Sequence, residues 1–211
     1  MKKQSLLLAS GNPGKLTELR ALSADLPLVV TGPESLQEGL PEVDETGTTF
    51  LENATLKALS AAETATKKCK DNEVIWALAD DSGLMVDYLN GAPGVHSARF
   101  SGISGEKRDA ANNEMLLEKL KGVPPEKRMA SFWCVLALAK PGEILLAVEG
   151  SVEGWILDRP RGESGFGYDP LFYHEPSDRT FAELSAKEKA AISHRSRAMT
   201  RLQAALESIL A

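Results

Sequence analysis

Val74-Ile75-Trp76-Ala77-Leu78-Ala79-Asp80-Asp81-Ser82-Gly83-Leu84 is an apolar run that ends in two adjacent carboxylates. The residues up to Ala79 read as a buried strand, and the carboxylates then fall at its carboxyl end, where open α/β sheets build their sites. Two neighbouring carboxylates repel unless a cation, a shared proton or a basic neighbour relieves them. A hard divalent ion does this well and commonly joins one or two carboxylates to substrate phosphates. The plainer alternative is that one aspartate caps a turn while the other faces water.

Working outward, Leu6 to Ala9 form a short strand broken by Ser10-Gly11-Asn12-Pro13-Gly14, and Leu16, Leu19 and Leu22 follow at helical spacing. Asn12 suits the N-cap and Pro13 the first helical position. Leu28 to Thr31 read as a second strand, residues 32–47 as loop, and Thr49-Phe50-Leu51-Glu52 as a capping box opening an Ala-rich helix towards Lys67. Leu84 to Leu89 read as a further strand, Asn90 to Gly94 as a turn cluster, and residues 107–121 as a polar helix. Residues 130–139 and 144–150 make an antiparallel pair joined by Pro141-Gly142, and residues 152–157 extend the sheet. Ser185 and Glu188 form another capping box, and Leu202, Leu206, Ile209 and Leu210 give the last helix an apolar face. With no repeat or linker, the 211 residues predict a single α/β domain, residues 1–211, with a mixed sheet.

The bulk composition narrows the function. A hydrophobic share of 43% with 26% charged residues is that of a globular protein. A net charge of −6 argues against binding to nucleic-acid backbones. Cys69 and Cys134 form neither a metal-ligand pattern nor a disulfide framework, and no apolar run is long enough to span a bilayer. The expectation is a cytoplasmic protein with no membrane or nucleic-acid partner.

Four polar clusters carry the chemistry. Ser10-Gly11-Asn12-Pro13-Gly14-Lys15 offers backbone N–H groups at a helix N-terminus and a lysine charge, which suit phosphate. It is not a Walker A loop, because Leu16 stands at the Ser/Thr position. An ordinary capped helix with a surface lysine is the other reading. Glu45 precedes the helix bearing Asn53 and Lys57 on one face, and can reach a metal also held by Asp81; equally, Glu45 can solvate a loop while Lys57 snorkels. Asp80, Asp81 and Ser82 form the third cluster. The fourth joins Gly165-Phe166-Gly167-Tyr168-Asp169-Pro170 to Lys189 and Ser193-His194-Arg195. There, Phe166 or Tyr168 can lie flat against a planar ligand or plug the core, and Lys189, His194 and Arg195 can donate to it. Phosphate, metal and planar base together describe a nucleoside triphosphate.

These motifs resemble the inosine triphosphatase family, the dITP/XTP pyrophosphatases. The likeness runs through Ser10 to Lys15, Glu45 to Ala54, Ala79 to Leu84, Gly91 to Gly94 with Ser97 to Gly102, Gly165 to Pro170, and Ser193-His194-Arg195. The resemblance implies a Mg²⁺-dependent homodimer with an elongated mixed β-sheet flanked by helices, in two lobes with the active-site cleft between them. It implies hydrolysis of ITP, dITP and XTP to the monophosphate and pyrophosphate, removing deaminated purines from the nucleotide pool. It assigns phosphate contacts to Ser10, Gly11, Asn12, Pro13, Gly14 and Lys15, the metal to Glu45 and Asp81, and proton acceptance to Asp81. Ser82 stands beside the substrate, and Phe166, Gly167, Tyr168, Asp169, Lys189, His194 and Arg195 contact the nucleotide. The family commonly has glycine where this chain has Ser196. Two alternatives are a Maf-like pyrimidine nucleotide pyrophosphatase and a nucleotide sensor without turnover.

Overall fold

The computed structural model describes residues 3–36, 38–69 and 73–210. In chain order these form β1 (Gln4–Leu8), α1 (Pro13–Leu22), β2 (Leu28–Thr31), α2 (Phe50–Lys68), β3 (Trp76–Val86), α3 (Arg108–Lys119), β4 (Met129–Lys140), β5 (Glu143–Ile156), β6 (Phe172–His174), β7 (Arg179–Thr180), α4 (Ala186–Ile192) and α5 (His194–Leu210). The strands make one mixed sheet in the order β2-β1-β3-β4-β5-β6-β7. β1 runs parallel to both β2 and β3, whereas β6 is antiparallel to β5 and β7. This is the α/β class expected from the sequence. Among the described residues no helix is long and apolar enough to cross a membrane.

The chain divides into two compact units: Met1–Asp81 with Val135–Gly150 and Ala198–Ala211, and Ser82–Cys134 with Ser151–Arg197. β3, β4, β5 and α5 each contribute residues to both. In the first unit, Leu6, Leu7 and Leu8 are all buried, as befits a parallel strand covered on both faces. Ala54, Ala58, Ala61, Ala62 and Ala65 are the buried stripe of α2; their small side chains let the helix lie close to β1. The predicted caps hold. Asn12 Oδ1 accepts from Gly14 N at 2.9 Å, and Thr49 and Glu52 form a reciprocal capping box.

The second unit is built on aromatic rings. The Phe132 and Phe172 centroids lie 4.6 Å apart, and those of Phe172 and Phe181 lie 4.9 Å apart. Leu84, Val86, Leu116, Leu120, Ile156 and Leu171 close around them.

Three strand readings are corrected. β3 does not stop at Asp80: it continues through Asp81, Ser82 and Gly83 to Val86, and residues 87–89 form a 3₁₀ turn instead of a strand. The two aspartates therefore lie mid-strand, not at a carboxyl end. Asp, Ser and Gly are poor strand formers, and sheet pairing overrides that preference. Towards the far end Ser97 Oγ accepts from Leu84 N at 2.9 Å, and Val86 N donates to Ala92 O at 3.1 Å. Val74 and Ile75 precede β3, and Val74 is exposed. Residues 144–150 and 152–157 are not separate strands, because β5 runs unbroken from Glu143 to Ile156.

Phe172→Ala removes the ring shared by Phe132 and Phe181, and is expected to cost ~3–5 kcal/mol in urea unfolding, as for other fully buried aromatics. A loss below about 1 kcal/mol would show that the cluster collapses to fill the space.

Candidate active site

Adjacent residues of a strand point to opposite faces, and Asp80 and Asp81 use this to take separate lysines. Lys15 Nζ, from α1, lies 2.7 Å from both Asp80 oxygens. Lys57 Nζ, from α2, lies 2.8 Å from Asp81 Oδ1 and 3.1 Å from Glu45 Oε1. Asn53, one turn before Lys57 and fully buried, donates to Asp81 Oδ2 at 3.4 Å and accepts from Gly47 N at 2.8 Å. It thereby ties the segment carrying Glu45 to the strand. Gly47 is needed there, because a Cβ would sit 2.6 Å from both Asn53 Oδ1 and Glu52 Cβ.

These charges set one another's protonation. Burial, with the Glu45 charge adding to it, raises the Asp81 carboxyl above the ordinary aspartate value despite the hydrogen bonds from Lys57 and Asn53. Burial opposes the charge on Lys57 too, but Asp81 and Glu45 together outweigh it and keep the ammonium protonated.

The glycine turn before α1 is engaged locally. Ser10 Oγ accepts from Asn12 N at 3.3 Å, and Asn12 Oδ1 takes Gly14 N. The sequence reading left these N–H groups open for phosphate; an anion would have to replace Ser10 and Asn12 as their partner. Gly11 is exposed, and Pro13 fills the first helical position.

In the second unit, Ser82, Ser97, Phe132, Phe166, His194 and Arg195 are among the residues around a cavity of ≈ 150 Å³. Drug-sized ligands occupy pockets of about 300–1,000 Å³, so this cavity suits a planar ring rather than a whole nucleotide. Phe166 stands exposed at its edge, with Lys189 Nζ 4.6 Å from the ring centroid. His194 is buried and stacks on Phe132 at 5.0 Å with the planes 16° apart.

Tyr168 and Asp169 both line the cavity and each is also held by contacts within the protein. Tyr168 is 4% exposed and its hydroxyl donates to Ser97 O at 2.8 Å, so it is a buried wall of the cavity. Burial, with the Asp109 charge adding to it, raises its phenol well above the usual value. Asp169, 2% exposed, accepts from Phe166 N at 2.9 Å and is ion-paired to Lys189. It shapes the loop, and the Lys189 ammonium is already committed. Gly165, at φ +82, has no room for a side chain because a Cβ would run into the Asp169 carboxylate. Ser196 lies in the first turn of α5, where its N–H donates to Ser193 Oγ at 3.2 Å, a role that requires no glycine.

The sequence reading placed Asn53 beside Lys57 without giving it a task, and passed over Asp109 and Asn113. Asp109 Oδ2 accepts from Gly167 N at 2.7 Å, and Asn113 Nδ2 donates to Gly167 O at 2.8 Å. Burial opposes the Asp109 charge, but Arg108 and the Gly167 N–H hold the carboxyl below the ordinary value. Only their four-residue spacing on a polar helix could have flagged them.

Among the described residues no three His, Cys, Asp or Glu side chains gather as a metal cage. Glu45 and Asp81 nevertheless share one ammonium, so a cation taking its place could reach both. Two hard carboxylates would suit a hard divalent ion such as Mg²⁺. Lys57→Met leaves the carboxylates facing each other without that ammonium. Saturating Mg²⁺ is expected to raise the variant's Tm by about 2 °C or more beyond any rise in the parent protein. A Tm that Mg²⁺ leaves unmoved in both proteins would show that the pair takes no cation.

A family model described as the Ham1 family matches residues 6–205. A protein from Geobacillus kaustophilus named dITP/XTP pyrophosphatase is 45% identical over 98% of this chain and 96% of its own length. One of the same name from an Exiguobacterium species is 50% identical over 94% of this chain and 95% of its own. The solved structure of the Staphylococcus aureus Ham1 protein superposes with a TM-score of 0.84 at 41% identity, covering 98% of this chain and all of that one. With sequence matched from β1 into α5 and the fold shared throughout, the chain belongs to the Ham1 family.

Proposed function

We propose that this protein hydrolyses ITP, dITP and XTP to the nucleoside monophosphate and pyrophosphate, as a Mg²⁺-dependent homodimer of the cytoplasm that clears deaminated purines from the nucleotide pool. The observation that carries the reading is the 45% and 50% identity, over nearly the full length, to proteins named dITP/XTP pyrophosphatase. The Lys57 ammonium shared by Asp81 and Glu45 supports it with chemistry suited to a polyanion.

The residues divide the work by charge. The first unit supplies the groups that suit a triphosphate: Lys15 and Lys57 offer cations, and the Ser10–Gly14 turn offers N–H groups. Glu45 and Asp81 would hold the metal, which neutralises phosphate oxygens when bound. Water attacks the α-phosphorus and pyrophosphate leaves. Asp81 takes the proton from that water, with Lys57 and Asn53 holding its carboxylate in position. Asp80 acts differently: it holds Lys15 in place.

The second unit supplies the base pocket. Phe166 gives an aromatic face, and Arg195 and His194 give donors. Hypoxanthine and xanthine present an acceptor oxygen at position 6, where adenine presents an amino donor. Donors aimed at that oxygen reject ATP by leaving a buried group unpaired.

The test is pyrophosphate release from ITP, XTP, dITP, GTP, ATP and dTTP, with Mg²⁺ and with EDTA. Metal-dependent turnover of ITP, dITP and XTP far above ATP and GTP is expected. A preference for dTTP would point instead to a pyrimidine enzyme, and tight binding without turnover to a sensor. Arg195→Ala is expected to narrow the ITP-to-ATP ratio of kcat/KM by about tenfold or more; an unchanged ratio would remove Arg195 from base reading.

A further inference from the structure

Phe166 is 60% exposed, yet side chains hold the backbone that carries it at three points. Asp169 Oδ2 accepts from Phe166 N at 2.9 Å. One residue on, α3 takes both polar backbone groups of Gly167: the N–H donates to Asp109 Oδ2 at 2.7 Å and the carbonyl accepts from Asn113 Nδ2 at 2.8 Å. Asp109 and Asn113 are four apart, hence on one face of α3. The same Asn113 Nδ2 donates to the Asp109 carbonyl at 2.8 Å, which fixes the orientation of its amide.

The remaining contacts show how these residues act. Asp109 Oδ1 accepts from Arg108 Nε at 2.8 Å, so both oxygens of the carboxylate are committed to protein donors. Asp109 stands at the cavity wall and, through Gly167, also holds the loop that carries the ring. Positive φ at Gly165 and Gly167 marks a segment with wide intrinsic freedom. An apolar ring on such a segment would fold onto the nearest apolar surface to leave water. The two α3 side chains oppose that collapse, and Lys189 sits beside the ring as a cation–π partner.

We propose that Asp109 and Asn113 are positioning residues for nucleobase selection: by gripping Gly167 through both of its backbone groups they keep the Phe166 ring presented to the base. This rests on the reading of the second unit's cavity as the base pocket. Neither residue belongs to the glycine-loop, aspartate or His-Arg motifs, and neither is a catalytic group.

The test compares kcat/KM for ITP with that for ribose 5-triphosphate, which has the phosphates but no base. Asp109→Ala and Asn113→Asp are expected to lower the ITP-to-ribose-triphosphate ratio by about tenfold, the scale of one aromatic stacking contact. Asp109→Asn keeps an acceptor for Gly167 N and is expected to restore most of the ratio. Asn113→Asp is isosteric and turns a carboxylate towards the Gly167 carbonyl, so it carries the test if Asp109→Ala is not recovered folded. Equal losses on both substrates, as from a merely structural lesion, or an unchanged ratio would overturn the proposal. Phe166→Ala separates the two levels. If that variant also leaves the ratio unchanged, the base-pocket reading itself fails. If it lowers the ratio while the α3 variants do not, only the positioning role fails.

Discussion

Strand alternation is the constraint on which the charged centre depends. Asp80 and Asp81 are neighbours in sequence, and in a turn their charges would have crowded together. Because β3 runs through them, they point to opposite faces, and each meets its own lysine from its own helix. The Pro13 start and Asn12 cap of α1 set where Lys15 emerges, and the Thr49–Glu52 box at the start of α2 sets where Lys57 emerges. Helix caps thus become elements of site geometry. Asn53 adds the last tie, fixing the Gly47 segment to the aspartate that Lys57 already holds.

The same sequence motif carries both units. Asp81 closes the first and Ser82 opens the second, one peptide bond apart. The first unit carries the Lys15–Asp80 and Lys57–Asp81 ion pairs. The second unit has an aromatic core, in which Phe132 links the packed rings to His194. The glycine loop from residue 165 is held by partners distant in sequence: Asp109 and Asn113 from α3, and Lys189 through Asp169. Buried polar groups with complete partners give such a loop one conformation, whereas an unpaired one would cost stability.

Much of this was legible in the residues. Local signals placed α1, α2 and α4, because capping patterns depend on neighbours a few positions apart. The six motifs in order were enough to suggest the family. The central strand was misread, since Asp-Asp-Ser-Gly has turn chemistry and only pairing across the sheet makes it a strand. The motif also could not show that Tyr168 faces the core or that Asp169 serves Phe166 and Lys189, because both depend on contacts across dozens of residues. Asp109 and Asn113 were invisible for the same reason: a polar helix face looks solvated until the loop it grips is in place.

The central claim is that the two aspartates do different work, Asp81 on the reacting water and metal, Asp80 on Lys15. Steady-state kinetics of Asp80→Asn and Asp81→Asn with ITP at saturating Mg²⁺ test it most directly. The account predicts that Asp81→Asn lowers kcat by ~100-fold or more, the scale of a positioned acid–base group. It predicts that Asp80→Asn acts mainly on KM, through a loosened Lys15. A near-parental kcat in Asp81→Asn, or the larger kcat loss in Asp80→Asn, would contradict it.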